Sequence, residues 1–158
     1  MKTDPGLTEK ILEGIPHTAP FKFIDAIYDA SPDHFEGAYR IRPDEYFFEG
    51  HFPGNPIVPG VILIEIMAQI GLLAFALFLE QTNAIGEREG STTANRQCFL
   101  TSSDVSFRRP CLPNDLVIVK SRKVSLRHGR LTCEIEAIRG EDEKLLSKGT
   151  FAGVIMDL

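Results

Sequence analysis

Residues 60–80 read GVILIEIMAQIGLLAFALFLE, an apolar run broken only by Glu65, Gln69 and the closing Glu80. Its length and lack of a polar face predict a buried helix from about Gly60 to Glu80, with Pro59 at its first position. The pattern on either side is shorter. In HFEGAYRIR (34–42), Phe35, Gly37, Tyr39 and Ile41 alternate with polar neighbours, the period of a half-buried strand. FKFIDAIY (21–28) reads as the strand before it. Downstream, four further strands are predicted at 98–107, 116–126, 131–139 and 144–156, joined by the turns RPCLPND, RHGR and GEDE. LTEKILEG (7–14) predicts a short first helix with Thr8 as its cap. The stretch 44–60 holds three prolines and three glycines and should be irregular, and the polar run 83–96 an exposed, mobile loop.

Two strands thus precede one long apolar helix and about four follow it. Short turns between the later strands favour antiparallel pairing. The economical arrangement is an α+β domain spanning residues 1–158, with a curved antiparallel sheet of about six strands wrapped around the helix and a partner subunit covering what the sheet leaves bare. The 158 residues suffice for one core. The net charge of −5 argues against a nucleic-acid binder. Cys98, Cys111 and Cys133 are widely spaced with no CxxC, and the four histidines are scattered, so neither a zinc site nor a disulfide framework is expected. The polar start MKTDPGLTEK has no apolar leader core, which points to a cytoplasmic protein. A membrane span over 61–79 is disfavoured, because Glu65 would cost about 2.5–3.5 kcal/mol near a bilayer centre.

Candidate chemistry gathers in GHFPGNPIVPGVILIEIMAQ (50–69). Glu65 and Gln69 are four residues apart and share a helix face, so Gln69 can donate to the carboxyl and fix its rotamer. Gly60 and Val61 stand at the helix N-terminus, where N–H groups lack intrahelical acceptors and the dipole is positive, a ready place for a carbonyl oxygen gaining charge. Gly60 has no side chain to block the approach. His51, in a proline-restricted loop, is a natural general base near neutral pH. These parts suit proton abstraction beside a carbonyl with an acid close by, although a loop histidine and a hydrogen-bonded glutamate are also what ordinary surfaces and interfaces contain.

The whole string closely resembles the active-site segment of 3-hydroxyacyl-acyl carrier protein dehydratases of the FabZ type, with the pattern GHFPxxPxxPGVxxxExxAQ. IPHTAPFKFIDAI (15–27) and SFRRPCLPNDLV (106–117) are similar to that family's N-terminal segment and its downstream turn, so the resemblance runs in order through most of the chain. It implies a hot-dog fold and the elimination of water from a (3R)-3-hydroxyacyl thioester. His51 would take the C2 proton, Glu65 would handle the C3 hydroxyl, and the Gly60 N–H would bind the thioester carbonyl. The Ile57 carbonyl would orient His51 and Gln69 would hold Glu65. It further implies that His51 and Glu65 of one site come from different subunits of a homodimer, or of a trimer of dimers. Glu at position 65, where the isomerising FabA type carries Asp, favours dehydration alone. The sequence departs from the pattern at Thr18, Ala26 and Ser103, away from that pair.

No metal or redox cofactor is expected, since elimination transfers no electrons. The carrier protein is acidic, and Arg108, Arg109, Arg122 and Lys123 lie in the densest basic stretch, which suits docking. Phe99 falls near the aromatic that gates the acyl tunnel in the family. His17 reads as structural. Fatty-acid synthesis, or a related polyketide or polyene pathway, would use the same chemistry. The rivals are a hot-dog thioesterase and a non-catalytic acyl-binding protein.

Overall fold

In the computed structural model, residues 3–85 and 96–157 are described. Helix α1 (Pro5–Gly14) starts where Asp4 accepts the Leu7 N–H at 3.1 Å and Pro5 supplies a first position that needs no N–H partner. The cap is therefore Asp4 and not Thr8. Ile11, fully buried, fastens α1 to the core.

Six strands follow: β1 (Ala26–Ala30), β2 (His34–Arg40), β3 (Arg96–Phe107), β4 (Leu116–Arg127), β5 (Arg130–Arg139) and β6 (Leu145–Asp157). They form one antiparallel sheet in the order β1-β2-β4-β5-β6-β3, the arrangement expected of a hot-dog fold. The first strand is shorter than its apolar pattern suggested and begins at Ala26. Phe21 and Phe23 place their backbone groups on a side chain instead: the Phe23 N–H donates to Gln69 Oε1 at 2.8 Å and the Phe21 carbonyl accepts from Gln69 Nε2 at 2.9 Å. A residue 46 positions away has replaced a neighbouring strand. The β4–β5 turn holds His128 and Gly129 at positive φ, as its RHGR sequence anticipates.

Helix α2 (Gly60–Gln81) fills the hollow of the sheet. Leu131, Cys133, Ile135 and Ala137 of β5 alternate into the core, all without exposure, as do Val117 and Val119 of β4. By length and composition α2 would cross a bilayer, yet 72% of its apolar window is enclosed by the fold, as for a central core helix. From Gln69 to Ala74 it loosens into a π turn, which nothing in the apolar run foretold. Gly71 lies in this turn, where the helix meets the sheet most closely. A Cβ there would stand 2.6 Å from Ile135 Cδ1, and the Gly71 carbonyl accepts the buried Ser121 hydroxyl at 2.8 Å. Glycine is needed for the approach itself. The polar run expected to be a mobile loop falls mostly on 86–95, outside the described residues.

Gly71→Val overpacks this contact. It should lower unfolding stability by about 1–3 kcal/mol, read as an earlier midpoint in urea with an unchanged slope. A variant as stable as the parent would mean the helix can lift off the sheet at no cost.

Candidate active site

His51 belongs to a loop closed on itself. A short 3₁₀ turn at Tyr46–Phe48 leads in, and the His51 N–H donates back to the Phe47 carbonyl at 3.1 Å. Phe52 and Asn55 exchange backbone bonds across Gly54, whose φ of 71° only glycine adopts readily. The Ile57 N–H returns to the His51 carbonyl at 3.0 Å, and the Val58 N–H ties the loop to the Cys111 carbonyl at 2.9 Å. The imidazole is held as firmly, with Nδ1 2.8 Å from the Ile57 carbonyl oxygen. A carbonyl can only accept, so Nδ1 carries the hydrogen, and in the neutral ring Nε2 keeps its lone pair. The Phe52 ring stacks on the imidazole at 4.1 Å, and the peptide bond between the two residues is cis.

The loop feeds directly into α2. Pro59 occupies the cap with extended geometry, one position earlier than its sequence context suggested, and Gly60 is the first helical residue. The Pro59 carbonyl accepts from both Ile62 and Leu63, so the Gly60 and Val61 N–H groups lie ahead of the helical bonding. A Cβ on Gly60 would come within 3.1 Å of the Phe107 ring. Val61 is 73% exposed, unusual for so apolar a residue at a helix start.

Glu65 stands one turn further on. Gln69, only 1% exposed, donates from Nε2 to Glu65 Oε1 at 2.9 Å. Its own Oε1 is taken by the Phe23 N–H, so the amide can face only one way. The carboxyl opens into a pocket of about 200 Å³ whose polar end is His17, Glu65 and Gln69 and whose apolar wall includes Leu72, Cys98 and Phe99. Burial pushes the Cys98 thiol up to about 12, so it is a neutral, unreactive wall atom at physiological pH. Phe99, on edge strand β3, is 41% exposed at the pocket rim.

The chain thus brings Glu65, Gln69 and Phe99 together in one pocket, while His51 is bonded to Ile57 in the loop that leads into the Gly60–Val61 helix start. His51 does not line the Glu65 pocket. His17, read from sequence as structural, does: its Nε2 is 3.6 Å from Glu65 Oε1. Its nearness to Phe21 and Phe23 in the chain was the one available hint, and the Gln69 bonds that fold that segment onto α2 were not visible.

The four basic residues do not form one cluster. The Arg108 and Arg109 N–H groups both donate to the Leu146 carbonyl beyond β3, and the Arg109 guanidinium donates to the Leu145 carbonyl. Arg122 and Lys123 lie on β4 beside β2, the former paired with Glu134 and the latter 3.4 Å from Asp33. Those acids offset their charge.

Comparison with known proteins identifies the family. The family model described as FabA-like domain matches residues 15–147, and the chain belongs to that family. The 3-hydroxyacyl-[acyl-carrier-protein] dehydratase FabZ of Caulobacter vibrioides is 30% identical over 158 residues, covering 99% of this chain and 92% of the relative. The bifunctional enzyme LpxC/FabZ of Porphyromonas gingivalis is 37% identical over 76% of this chain, which spans 24% of that longer protein. Among solved structures, the dehydratase heterocomplex ApeI:P of Xenorhabdus doucetiae superposes with a TM-score of 0.73 at 14% identity, covering 95% of this chain and 91% of that one, a likeness of fold.

Gln69→Leu would leave the Phe23 N–H and the Phe21 carbonyl without partners inside the protein. The expected loss is about 1–3 kcal/mol of unfolding free energy for each stranded group, measured by chemical denaturation. Unchanged stability would show that water replaces the amide.

Proposed function

We propose that this protein dehydrates (3R)-3-hydroxyacyl thioesters carried on acyl carrier protein, giving the trans-2-enoyl thioester and water in fatty-acid or related polyketide or polyene biosynthesis. The observation that carries the reading is the tautomer of His51. With Nδ1–H bound to the Ile57 carbonyl, the neutral form of the ring offers Nε2 as the free base. Glu65, hydrogen-bonded by Gln69 at the polar end of its pocket, is the matching acid.

In the reaction His51 Nε2 takes the C2 proton of the substrate. The thioester carbonyl oxygen gains charge and is met by the Gly60 N–H at the helix start, with Val61 beside it. The C2–H electron pair becomes the second C2–C3 bond, the C3–O bond breaks, and Glu65 gives its proton to the departing hydroxyl, which leaves as water. The acyl chain runs along Leu72 and past Phe99. The dehydratase names of sequence relatives favour elimination over thioester hydrolysis.

The working unit of this reading is a homodimer, or a trimer of dimers, of single-domain chains 1–158 in the cytoplasm. Its support is that His51 does not line the Glu65 pocket, while Val61, Phe99 and Leu100 expose apolar surface. The second subunit then supplies His51, Ile57 and the helix start to the first subunit's Glu65. Arg108 and Arg109, which follow Phe107 beside Gly60, are placed to meet an acidic carrier protein, better than the acid-paired Arg122 and Lys123.

His51→Ala and Glu65→Ala should each lower turnover of hydroxyacyl-carrier protein by about 10²–10⁴-fold or more. Co-expressed as a mixed dimer, the two inactive chains should regain roughly half the wild-type rate per dimer, because one of two symmetric sites then holds both intact groups. No recovery in the purified mixed dimer would place both groups in one chain, and near-normal turnover by either single variant would remove the mechanism.

A further inference from the structure

The two oxygens of Glu65 are not equivalent. Oε1 accepts from Gln69 Nε2 at 2.9 Å, and the same oxygen faces His17 Nε2 at 3.6 Å. The His17 ring is set in place by its neighbours. Ile15 is buried in the core, the Phe21 N–H closes a turn on the Thr18 carbonyl at 2.8 Å, and the Phe21 ring lies 6.1 Å from the imidazole.

The other ring nitrogen decides the tautomer. His17 Nδ1 is buried and has no hydrogen-bond partner among the described residues. Orphaned buried N–H groups are rarer than under-satisfied acceptors, so in the neutral ring the hydrogen belongs on Nε2, where it points to Glu65. At 3.6 Å the contact is longer than a hydrogen bond. Catalytic hydrogen bonds are often long in ligand-free sites and tighten when substrate fills them.

Once the His17 contact tightens to a hydrogen bond, two donors share one carboxyl oxygen, and that has a chemical consequence. An oxygen that accepts both cannot carry the acidic hydrogen without losing one of them. The proton is left to Oε2. We infer that His17 is a positioning residue that joins Gln69 in holding Oε1 of Glu65, leaving Oε2 as the oxygen that passes its proton to the substrate hydroxyl. The inference rests on the dehydratase reading and assigns no proton transfer to His17 itself. Once the proton has left, the His17 N–H also faces the new carboxylate, so its contribution grows along the reaction and belongs in kcat more than in KM.

The test compares wild type, His17→Phe and His17→Gln on one (3R)-3-hydroxyacyl substrate held on purified acyl carrier protein, with thermal unfolding measured for each. Glutamine keeps an N–H donor near the position of Nε2; phenylalanine keeps the ring and removes the donor. The expected result is that His17→Phe lowers kcat roughly tenfold or more with little change in KM, while His17→Gln recovers most of it. Long-range nitrogen–proton NMR on the wild-type protein should find His17 in the Nε2–H form, a readout that needs neither turnover nor a folded variant. Wild-type kcat in His17→Phe, equal losses in both variants, or an Nδ1–H ring overturns the inference while leaving the dehydratase reading standing. A wild-type protein that forms no enoyl product overturns both.

Discussion

The side chain of Gln69 is the joint on which both the fold and the site turn. It is buried, and all of its bonds go to other parts of the protein: it accepts from Phe23 and donates to the Phe21 carbonyl and to Glu65. A buried amide is tolerated only when satisfied. Here, satisfying it does three things at once. It brings the chain between Pro20 and Ala26 down onto α2 without a strand ladder. It holds the Glu65 rotamer. And it carries His17, which lies just ahead of that segment, to the mouth of the Glu65 pocket. The π turn starts at this same residue and continues through Gly71, where helix and sheet touch. The helix departs from regular geometry where it is asked both to pack and to hold the acid.

The opposite half of the chemistry is built by backbone. The loop from His51 to Ile57 closes with reciprocal bonds, and the Ile57 carbonyl dictates which imidazole nitrogen is free. A base needs a bare nitrogen and an acid needs a held proton. The protein meets these opposed needs with different partners, a carbonyl for the histidine and an amide for the glutamate. The two halves have different partners, and Val61 at the helix start and Phe99 and Leu100 in the lining of the Glu65 pocket leave apolar surface exposed.

Family membership, the central helix and the antiparallel sheet were legible in the sequence because each is written locally. The apolar run of α2 shows its length, and the alternation in β2 and β5 shows its period. The motif from Gly50 to Gln69 is long enough to carry the resemblance. What was not legible depends on partners distant in sequence or on backbone detail. Phe21 and Phe23 look like strand residues, and only Gln69 makes them otherwise. Thr8 looks like a cap until Asp4 and Pro5 set the start one turn earlier. Arg122 and Lys123 read as free charge until β2 and β5 bring Asp33 and Glu134 beside them. His17 reads as structural until its chain folds against α2 and brings it to Glu65.

The account stands on elimination at C2 and C3, and product analysis reads that directly. Purified protein incubated with (3R)-3-hydroxyacyl-carrier protein should yield a carrier-bound species lighter by one water, resolved by intact-protein mass spectrometry, with the thioester unbroken. A carrier returned with its free thiol and a released hydroxy acid would mean hydrolysis, and a carrier returned unchanged would mean binding without chemistry. Either result contradicts the account.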